Sequence, residues 1–484
     1  MLQTIILLIF LYIFFDFIKK NKRFSKNDPP GPISLPFIGD LGRLSKSPPH
    51  KALFELSKTY GKIFRIWLGD NYTIVISDPQ LIREIFVKNF ESFTNRLHTY
   101  PTRFVSNNFR NLNSGDYEYW TKNRQMVSHA FTNVKLRSFA SVIEEESLDL
   151  IETMKEFERQ QIPFSPKNYT KKYSMNIILQ YIFSDKLKVQ DGETENNKIF
   201  TLAKEIDKLF LYVGTFRMEK YINVIGWVSY MLKKYIFTSF KENLDKTVND
   251  IVDEHIKTID RENPRDLLDS IIMQCDLNDK FEKQLPAMIG ADLLLAGTET
   301  SASSIEYFIM IMANNPLVQQ KAFEELNQVI GKGNQVKLSH HKSTPYLNAV
   351  IKEASRIKTT APLGLPRTAN QDIMIGDYFI PKGTQILMNI YALANDECYW
   401  DQPNVFDPTR FLNNNHSDRY IPFGVGPRNC VGSNLANDEI YIACANILLN
   451  FEITSVDGKK IDETEVLDLT VHPKYDFSVL INSR

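Results

Sequence analysis

The chain of 484 residues is 43% hydrophobic and carries 57 Lys and Arg against 58 Asp and Glu, a formal net charge of -1. This length and composition exclude a disordered chain, and length alone predicts roughly three domains. The balanced charge excludes a global field that would attract nucleic acid. The four cysteines are too few and too scattered for a disulfide framework, which indicates a reducing compartment for the folded body.

An apolar run from Leu2 to Ile18 opens the chain, with Asp16 near its end. At about 1.5 Å per residue it makes roughly 25 Å of helix, close to the thickness of the endoplasmic reticulum bilayer. A cleaved secretory signal is the alternative, but no basic segment precedes the run and no small-x-small site follows it. We therefore expect a single-pass transmembrane anchor over residues 1–18. The positive-inside rule places the rest of the chain in the cytoplasm, because basic residues follow at once: Lys19, Lys20, Lys22 and Arg23.

Residues 19–40 combine this basic cluster with a proline-rich stretch, DPPGPISLPFIGD, at 28–40. Proline fixes φ and donates no backbone hydrogen bond, so the stretch has no helix or ladder to join. We expect a stiff, extended spacer that holds the folded body, residues 41–484, off the membrane.

The folded body begins with KIFRIWLGDNYTIVIS at 62–77, which alternates like a β-hairpin, and Asp78 is positioned to cap a following helix. Extended segments return at 365–390 and after residue 450. Between them the apolar spacing is helical, which predicts a mainly α fold with a smaller β-rich part built from both ends of the body. The expected helices span residues 116–130, 134–157, 168–184, 195–212, 229–259, 281–314, 316–330, 344–358 and 432–449.

FGVGPRNCVG, residues 423–432, surrounds Cys430 with glycines, a proline and an arginine. No cluster of Cys and His accompanies it as zinc would require, and a lone cysteine is commonly a small buried hydrophobe. A peptidase nucleophile would need a base, and no His lies nearby in the sequence. A helix predicted after Gly432 is expected to lower the pKa of the thiol at its N-terminal end. Because the glycines let backbone approach a flat ligand and Arg428 can bind a carboxylate, the pattern favours haem.

The spacing F-x-x-G-x-R-x-C-x-G resembles the haem-binding loop of the cytochrome P450 family and is met by Phe423, Gly426, Arg428, Cys430 and Gly432. The resemblance implies haem b, with Cys430 as the axial ligand of the iron and with Phe423, Gly424, Arg428 and Gly432 around it. It also implies the family's single fold, a triangular helical prism with a smaller β-rich subdomain. Residues 41–484 would then form one haem-thiolate monooxygenase domain.

Residues 291–312, ADLLLAGTETSASSIEYFIMIM, contain A-G-T-E-T-S, similar to the family's oxygen-activating motif. Glycine and clustered hydroxyl residues in mid-helix are expected to disturb its hydrogen bonding and open a groove for oxygen and water. An ordinary buried helix with small residues is the alternative. The resemblance implies that Thr300 hydrogen-bonds the bound oxygen and that Glu299 relays protons.

The E-x-x-R motif occurs three times, at residues 156–159, 262–265 and 353–356. Such a pair is usually a surface contact, and only the last stands in the family's order before the cysteine loop. The resemblance implies that Glu353, Arg356 and Arg410 form a buried structural network. It also implies that Trp120, Arg124 and Arg367 bind the haem propionates, with plain surface arginines as the alternative.

The resemblance implies a microsomal enzyme that inserts one oxygen atom from the co-substrate O2 into a hydrophobic small molecule. Electrons would come from NADPH-cytochrome P450 reductase, because the sequence contains no flavin or nicotinamide motif; cytochrome b5 is a second candidate donor. Candidate docking residues are Lys352, Lys358 and Arg419. An O2-independent isomerase or dehydratase and a non-catalytic haem sensor are the alternatives, and Glu299 and Thr300 argue against both. Candidate pocket residues are Phe104, Phe109, Phe210, Phe216, Leu363 and His472.

Overall fold

The computed structural model describes residues 2–187, 202, 204–206, 208–209, 218–413 and 416–484. Helix dominates this part of the chain. In chain order the helices are α1 Leu2–Asn21, α2 Leu41–Leu44, α3 Pro49–Tyr60, α4 Pro79–Arg83, α5 Tyr100–Val105, α6 Tyr117–Ser128, α7 Asn133–Arg159, α8 Pro166–Phe183, α9 Asn223–Thr258, α10 Leu267–Ile272, α11 Leu285–Asn314, α12 Pro316–Val329, α13 Pro345–Ile357, α14 Ile390–Asn395 and α15 Ser433–Asn450.

The strands are short and fall in two regions, as the sequence predicts. They are β1 Ile63–Leu68, β2 Asn71–Ile76, β3 Arg367–Thr368, β4 Ile373–Ile375, β5 Tyr378–Ile380, β6 Gln385–Met388, β7 Phe451–Ser455, β8 Glu465–Leu467, β9 Val471–Pro473 and β10 Val479–Ser483. The largest sheet has the order β1-β2-β6-β3, with β6 parallel to β2, so both ends of the body contribute to it. Gly69, at φ 58°, turns the β1–β2 hairpin.

The predicted helices agree with α6, α7, α8, α11, α12, α13 and α15 to within a few residues. α9 begins at Asn223, before the expected residue 229, and the helix expected at 195–212 lies largely outside the described residues. α2, α3, α5, α10 and α14 were not predicted. α3 packs on α14 through the rings of His50 and Phe54, whose centroids lie 4.7 and 5.8 Å from that of Tyr391. Such tertiary contacts stabilise helices too short to form alone.

Helix α11 runs through the main apolar core, in contact with α8, α13 and α15. Two of its glycines allow α8 to approach closely. A Cβ added at Gly297 would lie 3.0 Å from Cγ1 of Ile178, and one at Gly290 would lie 3.1 Å from Cζ of Phe183. A larger side chain at either position would force the two helices apart.

α1 is a single helix of 20 residues, Leu2–Asn21, with a mean hydropathy of 2.0 over its most apolar window. Among the described residues it is the one helix that is long and apolar enough to cross a membrane. Its last turn extends beyond the predicted end of the span at Ile18.

The end of α1 is docked on the proline-rich segment. The Phe37 N–H donates to Oδ2 of Asp16 at 2.7 Å, and Nζ of Lys20 donates to the Phe37 carbonyl at 3.1 Å. Asn21 and Ser34 exchange two hydrogen bonds of 2.9 Å each. The segment also contacts the sheet, because the Arg65 N–H donates to the Pro30 carbonyl at 2.8 Å. The premise that this stretch has no helix or ladder to join is therefore wrong, because α1 and β1 supply hydrogen-bond partners that the sequence pattern did not show. The linker over residues 19–40 stays a prediction.

Candidate active site

The loop that carries Cys430 is a series of tight turns. The Cys430 N–H donates to the Phe423 carbonyl at 3.0 Å, and the Asn429 N–H donates to the Gly426 carbonyl at 3.0 Å. Gly424 and Gly426 adopt φ of 71° and 77°, which glycine does without steric cost. The side chain of Cys430 is left exposed.

At Gly426 the cysteine loop packs closely against the backbone of Phe86. A Cβ at this residue would lie 2.0 Å from the carbonyl oxygen of Phe86, whereas the nearest atom to a Cβ at Gly424 is 3.8 Å away, in Met388. Gly432 has φ -86° and caps α15, and a Cβ there would make an ordinary 3.8 Å contact with Phe131. The structure therefore requires glycine most strongly at position 426.

The predicted lowering of the thiol pKa is wrong for this structure. Burial raises the pKa of Cys430, and a hydrogen bond from the Gly432 backbone and the charge of Arg124 oppose that rise. α15 begins at Ser433, three residues after the thiol, so the helix dipole acts at a distance. Cys430 is nevertheless exposed, so a ligand can reach the sulfur. Coordination to a metal would remove its proton outright.

Four arginines, Arg96, Arg124, Arg367 and Arg428, form a cluster beside the cysteine loop. Arg428 is buried, with its guanidinium carbon 4.5 Å from the ring centroid of buried Trp120. Its Nη2 donates to the Gly115 carbonyl at 2.7 Å, while its Nε and Nη1 have no hydrogen-bond partner. Arg367, on β3, is also buried, and its Nη1 has no partner either.

The other two arginines are bound to backbone. Arg124 donates to the carbonyl and Oδ1 of Asn429 at 2.8 and 2.9 Å, directly beside Cys430. Arg96 donates through Nη1 to the Leu365 and Pro366 carbonyls at 2.6 and 2.9 Å. The sequence analysis missed Arg96, because no motif marks it. Its position two residues after the buried Phe93 and Thr94 is the one feature that places it near the interior.

Burial and mutual repulsion act on these cations. Burial lowers the pKa of Arg428 to about 8 and that of Arg96 to about 10. Burial, followed by the charges of Arg96, Arg428 and Arg124, also lowers the pKa of Arg367. In the part of the chain that the structure describes, no carboxylate forms an ion pair with any of the four.

A buried, unpaired cation is costly, so this cluster fits a ligand that brings negative charge. The N–H groups without partners on Arg428 and Arg367 are suited to carboxylate oxygens. Together with an accessible thiol, they fit a planar group with two carboxylates and a thiolate-bound metal, which is the description of haem.

Helix α11 carries the two predicted catalytic residues, Glu299 and Thr300. Ala296 is exposed although Leu294 and Leu295, just before it, are buried, so this face of the helix borders open space. The expected break in helical hydrogen bonding is not present: α11 is continuous, and the hydroxyls of Thr298 and Thr300 donate to carbonyls four residues earlier, at 2.8 Å each. Gly297 serves the contact with α8.

Glu299 and Thr300 are adjacent in sequence but their side chains have different partners. Glu299 forms an ion pair with Lys171 of α8, whereas the Thr300 hydroxyl bonds to the Ala296 carbonyl. No sequence motif marks Lys171, which lies in a helix that the apolar spacing predicts. The structure therefore connects Glu299 to the neighbouring helix and keeps Thr300 beside the exposed face at Ala296.

Glu353, Arg356 and Arg410 are brought together. Arg356 donates to both oxygens of Glu353, at 2.7 and 2.8 Å, and to the Ala394 and Pro403 carbonyls. Nε of Arg410 lies 3.3 Å from Oε1 of Glu353. Neither Glu353 nor Arg356 has any exposed side chain, whereas Arg159, of the first E-x-x-R motif, is 63% exposed.

The structure describes several of the residues expected to dock the reductase or to line the substrate pocket. Lys358 is buried and donates to the Glu463 carbonyl at 2.9 Å, so it is unsuited to docking a reductase. Phe109 is buried, and its ring stacks on His98 with centroids 3.7 Å apart. Leu363 packs partly buried against the sheet core, and His472 is half-buried on β9. Phe210, Phe216 and the side chain of Phe104 lie outside the described residues.

A second group of metal-binding residue types, His255, Asp266 and Asp269, lies between α9 and α10. Arg265 bonds to Asp269 through Nε at 2.7 Å, and Nδ1 of His255 lies 3.0 Å from the same carboxylate. These contacts pair Asp269 with two basic side chains. The cationic partners of Asp269 are thus already in place, whereas, in the described part of the chain, Nη1 of Arg367 and Nε and Nη1 of Arg428 have none.

The model of the family described as Cytochrome P450 matches residues 29–479. The chain is similar over its full length to probable cytochrome P450 519B1 of Dictyostelium discoideum, at 35% identity with 100% of both chains covered. It is 36% identical to probable cytochrome P450 508A1 of the same organism, covering 100% of this chain and 99% of the relative. A zebra fish cytochrome P450 solved with abiraterone has 25% identity and a TM-score of 0.77, with 90% of this chain and 99% of that chain covered.

These matches extend beyond the cysteine loop to nearly the whole body, and the mainly helical fold agrees with the solved structure. The chain belongs to the cytochrome P450 family. It is a P450 monooxygenase, and membership of the family implies a haem cofactor, a small-molecule substrate and a redox partner.

Proposed function

We propose that the chain is a membrane-anchored haem-thiolate monooxygenase that inserts one oxygen atom from O2 into a hydrophobic organic small molecule. The observation that carries the proposal is the cluster of Arg96, Arg124, Arg367 and Arg428 around the accessible thiol of Cys430. The N–H groups of Arg367 and Arg428 that lack partners need an anionic ligand, and the thiol supplies a metal ligand beside them.

The residues have distinct parts in holding haem b. Cys430 would bind the iron as a thiolate, and the four arginines would bind the propionates, with Trp120 packed on Arg428. Phe423, Gly424 and Gly432 would shape the loop. When bound, thiolate-ligated haem supplies the activation of O2. Glu353, Arg356 and Arg410 support the loop without touching the ligand.

Thr300 and Glu299 are proposed to handle protons at the site. The Thr300 hydroxyl is held by the Ala296 carbonyl on the exposed face of α11, where it can rotate to donate to a ligand. The Glu299 carboxylate, paired with Lys171, can receive a proton from the side of α8 and pass it towards Thr300.

We assign residues 1–18 to a single-pass anchor in the endoplasmic reticulum membrane, 19–40 to a linker and 41–484 to the catalytic domain, facing the cytoplasm. A second apolar surface supports membrane contact: Val224, Trp227 and Leu232 of α9 are 68%, 52% and 75% exposed. The first residue of α9 contacts the turn of the β1–β2 hairpin, since the Asn223 N–H donates to Oδ2 of Asp70 at 2.8 Å.

Electrons are proposed to come from NADPH through NADPH-cytochrome P450 reductase, with cytochrome b5 as a second donor. The donor would dock on the face near the cysteine loop. Lys352 and Arg419 remain candidates there, since each is at least partly exposed.

Two measurements test the proposal. The carbon monoxide spectrum of the reduced protein should show the red-shifted band of thiolate ligation, and Cys430→Ser should lose it. Cys444→Ser is the matched control, because Cys444 is buried in α15 away from the loop. An imidazole-type spectrum in the wild-type protein would refute the assignment of the ligand.

The second measurement is turnover with reductase and a lipid extract. The expected result is product that requires NADPH and O2 and decreases in Thr300→Ala. Product that forms equally without O2 would instead indicate an isomerase or dehydratase, and stable haem binding without any product would indicate a sensor.

A further inference from the structure

The connection between α9 and α10 brings three side chains of metal-binding types together. His255 lies in the last turn of α9, Asp266 immediately precedes α10, and Asp269 lies in the first turn of α10. One possible ligand atom from each residue lies within 4.8 Å of the other two. The three side chains are 8%, 1% and 1% exposed, so the group is shielded from water.

In each carboxylate, one oxygen is held by the protein and the other faces the histidine. Oδ1 of Asp266 accepts from the Asp269 N–H at 2.9 Å, and Oδ2 of Asp269 accepts from Nε of Arg265 at 2.7 Å. The other oxygens, Oδ2 of Asp266 and Oδ1 of Asp269, lie 3.7 and 3.0 Å from Nδ1 of His255. Hydrogen bonds to the outer oxygens orient the ligating carboxylates of metal sites in this way.

One of the inward-facing oxygens, Oδ2 of Asp266, has no hydrogen-bond partner among the residues that the structure describes. Its distance of 3.7 Å from Nδ1 of His255 is too long for a hydrogen bond. Leaving a buried acceptor without a partner is costly, and more so for a charged one. This oxygen therefore indicates a missing ligand between the three side chains.

The electrostatic surroundings of Asp266 agree with a missing cation. Burial raises the pKa of Asp266, and the charge of Asp269 adds to the rise. The Asp269 N–H, the charge of His255 and the side chain of Ser184 oppose it. A divalent cation in contact with the carboxylate would favour its ionised form and reverse the rise.

The distances suit a small ion in tetrahedral coordination. With metal–ligand distances of about 2.0–2.1 Å, neighbouring ligands of such an ion lie about 3.3 Å apart. The separations of 3.0 and 3.7 Å from Nδ1 of His255 lie on either side of that value. One imidazole and two carboxylates form a mixed nitrogen and oxygen set, which zinc accepts, whereas Mg²⁺ and Ca²⁺ prefer oxygen alone.

We propose that His255, Asp266 and Asp269 bind a Zn²⁺ ion that joins the end of α9 to the start of α10, with water as the fourth ligand. α10 packs on α6, α8 and α11, so the ion fixes the end of α9 against the helical core. The zinc site is separate from the cysteine loop, and it goes beyond the proposed function without depending on it.

Arg265 is a positioning residue in this site. It holds Oδ2 of Asp269, and its Nη2 donates to the His255 carbonyl and to Oδ1 of Asp269 at 3.3 Å each. These bonds set the carboxylate and the end of α9 in place before any metal binds. The alternative is a closed ion network in which Arg265 and a protonated His255 neutralise both carboxylates, but it leaves Oδ2 of Asp266 without a partner.

Zinc binding tests the proposal on the full-length, haem-loaded protein in detergent after treatment with EDTA. Equilibrium dialysis against a range of free Zn²⁺ concentrations, followed by elemental analysis, gives the zinc bound per protein chain. The wild-type protein should bind one tightly held zinc. His255→Gln and Asp266→Asn should each bind it about a hundredfold more weakly, because each loses a ligand and even an outer-shell partner contributes about 10–100-fold. Binding that is absent in the wild type, or equal in all three proteins, would overturn the proposal.

His129→Gln is the matched control, because His129 is an exposed histidine outside the cluster and its loss should leave zinc binding unchanged. Asp266→Asn keeps an oxygen that can accept from the Asp269 N–H, so the start of α10 is preserved. The carbon monoxide spectrum should be the same in all the variants, which checks that they fold. If His255→Gln does not fold, Asp266→Asn alone decides the outcome.

X-ray absorption at the zinc edge identifies the ligands of the bound ion. The expected result is nitrogen and oxygen at about 2.0–2.1 Å with the scattering of one imidazole, whereas sulfur at about 2.3 Å would place the zinc at a cysteine and refute the proposal. Zinc should also raise the midpoint of thermal unfolding of the wild type and not that of Asp266→Asn. If the protein lacks the thiolate band, the proposed function fails, and the zinc measurements still decide this site.

Discussion

Arg356 donates hydrogen bonds of 2.7 and 2.8 Å to the two carboxylate oxygens of Glu353, and neither side chain is exposed. Removing one partner would leave a buried charge, which costs about 3–5 kcal/mol. We expect Arg356→Ala to lower the free energy of unfolding by this amount and to yield little haem-loaded protein, measured by denaturant titration and by the ratio of haem to protein.

The exposed pair Glu156 and Arg159 provides the control for this prediction. Arg159→Ala should change stability by less than about 1 kcal/mol, because exposed ion pairs contribute little. Equal effects of the two substitutions would show that the motif at 353–356 has no special structural role.

Two glycines of the cysteine loop allow a matched comparison. Gly424→Ala and Gly426→Ala share the cost of a positive φ, about 1–2 kcal/mol. Only the second also places a Cβ 2.0 Å from the Phe86 carbonyl oxygen. Gly426→Ala should therefore lose most bound haem, whereas Gly424→Ala should retain most of it, as measured by absorbance after purification. The reverse order would contradict the account of the loop.

Removing one arginine of the cluster should stabilise the haem-free protein against unfolding and should weaken the binding of haem. Arg367→Met removes a buried cation whose Nη1 has no partner, so the haem-free protein should gain stability in thermal unfolding. The same variant should release haem faster to an acceptor such as apomyoglobin, because one partner of the propionates is lost. Arg367→Lys keeps the charge and should not stabilise the haem-free protein. A loss of stability in both forms of Arg367→Met would refute the assignment.

Glu439 predicts how stability depends on pH. Burial raises its pKa from 4.5 to about 8, so the folded state binds its proton more tightly than the unfolded state does. The free energy of unfolding should therefore fall as the pH rises from about 4.5 to 8. Glu439→Gln should flatten this fall and stabilise the protein at pH 8, as measured by urea titrations across this range. The exposed Glu152→Gln should leave the slope unchanged.

The sequence predicted those parts of the molecule that depend on local spacing. Apolar periodicity located α7, α11 and α15, and the order of motifs separated Glu353 and Arg356 from the two surface copies of E-x-x-R. Contacts between residues far apart in the chain could not be predicted from local spacing. Arg96 acquires its Leu365 and Pro366 partners, and Lys171 its partner on α11, only when distant segments come together, so no window of sequence marks them.

The thiol of Cys430 shows the limit of local reasoning most clearly. The sequence correctly predicted a helix after Gly432, and from it a lowered pKa. Neighbouring protein desolvates the sulfur although the residue stays exposed, and this desolvation raises the pKa of the thiol against the hydrogen bond from the Gly432 backbone and the charge of Arg124. The same burial leaves the cations around it in need of a ligand.

The docked end of α1 has a practical consequence for preparing the enzyme without its membrane segment. Deleting residues 2–21 would remove Asn21 from Ser34 and Asp16 from the Phe37 backbone, and it would expose the buried polar groups of Ser34 to water. A shortened version that begins just before Asp16 would retain these hydrogen bonds while discarding most of the lipid-facing turns. The residue at which the chain is truncated should therefore decide whether the shortened enzyme stays soluble and monomeric.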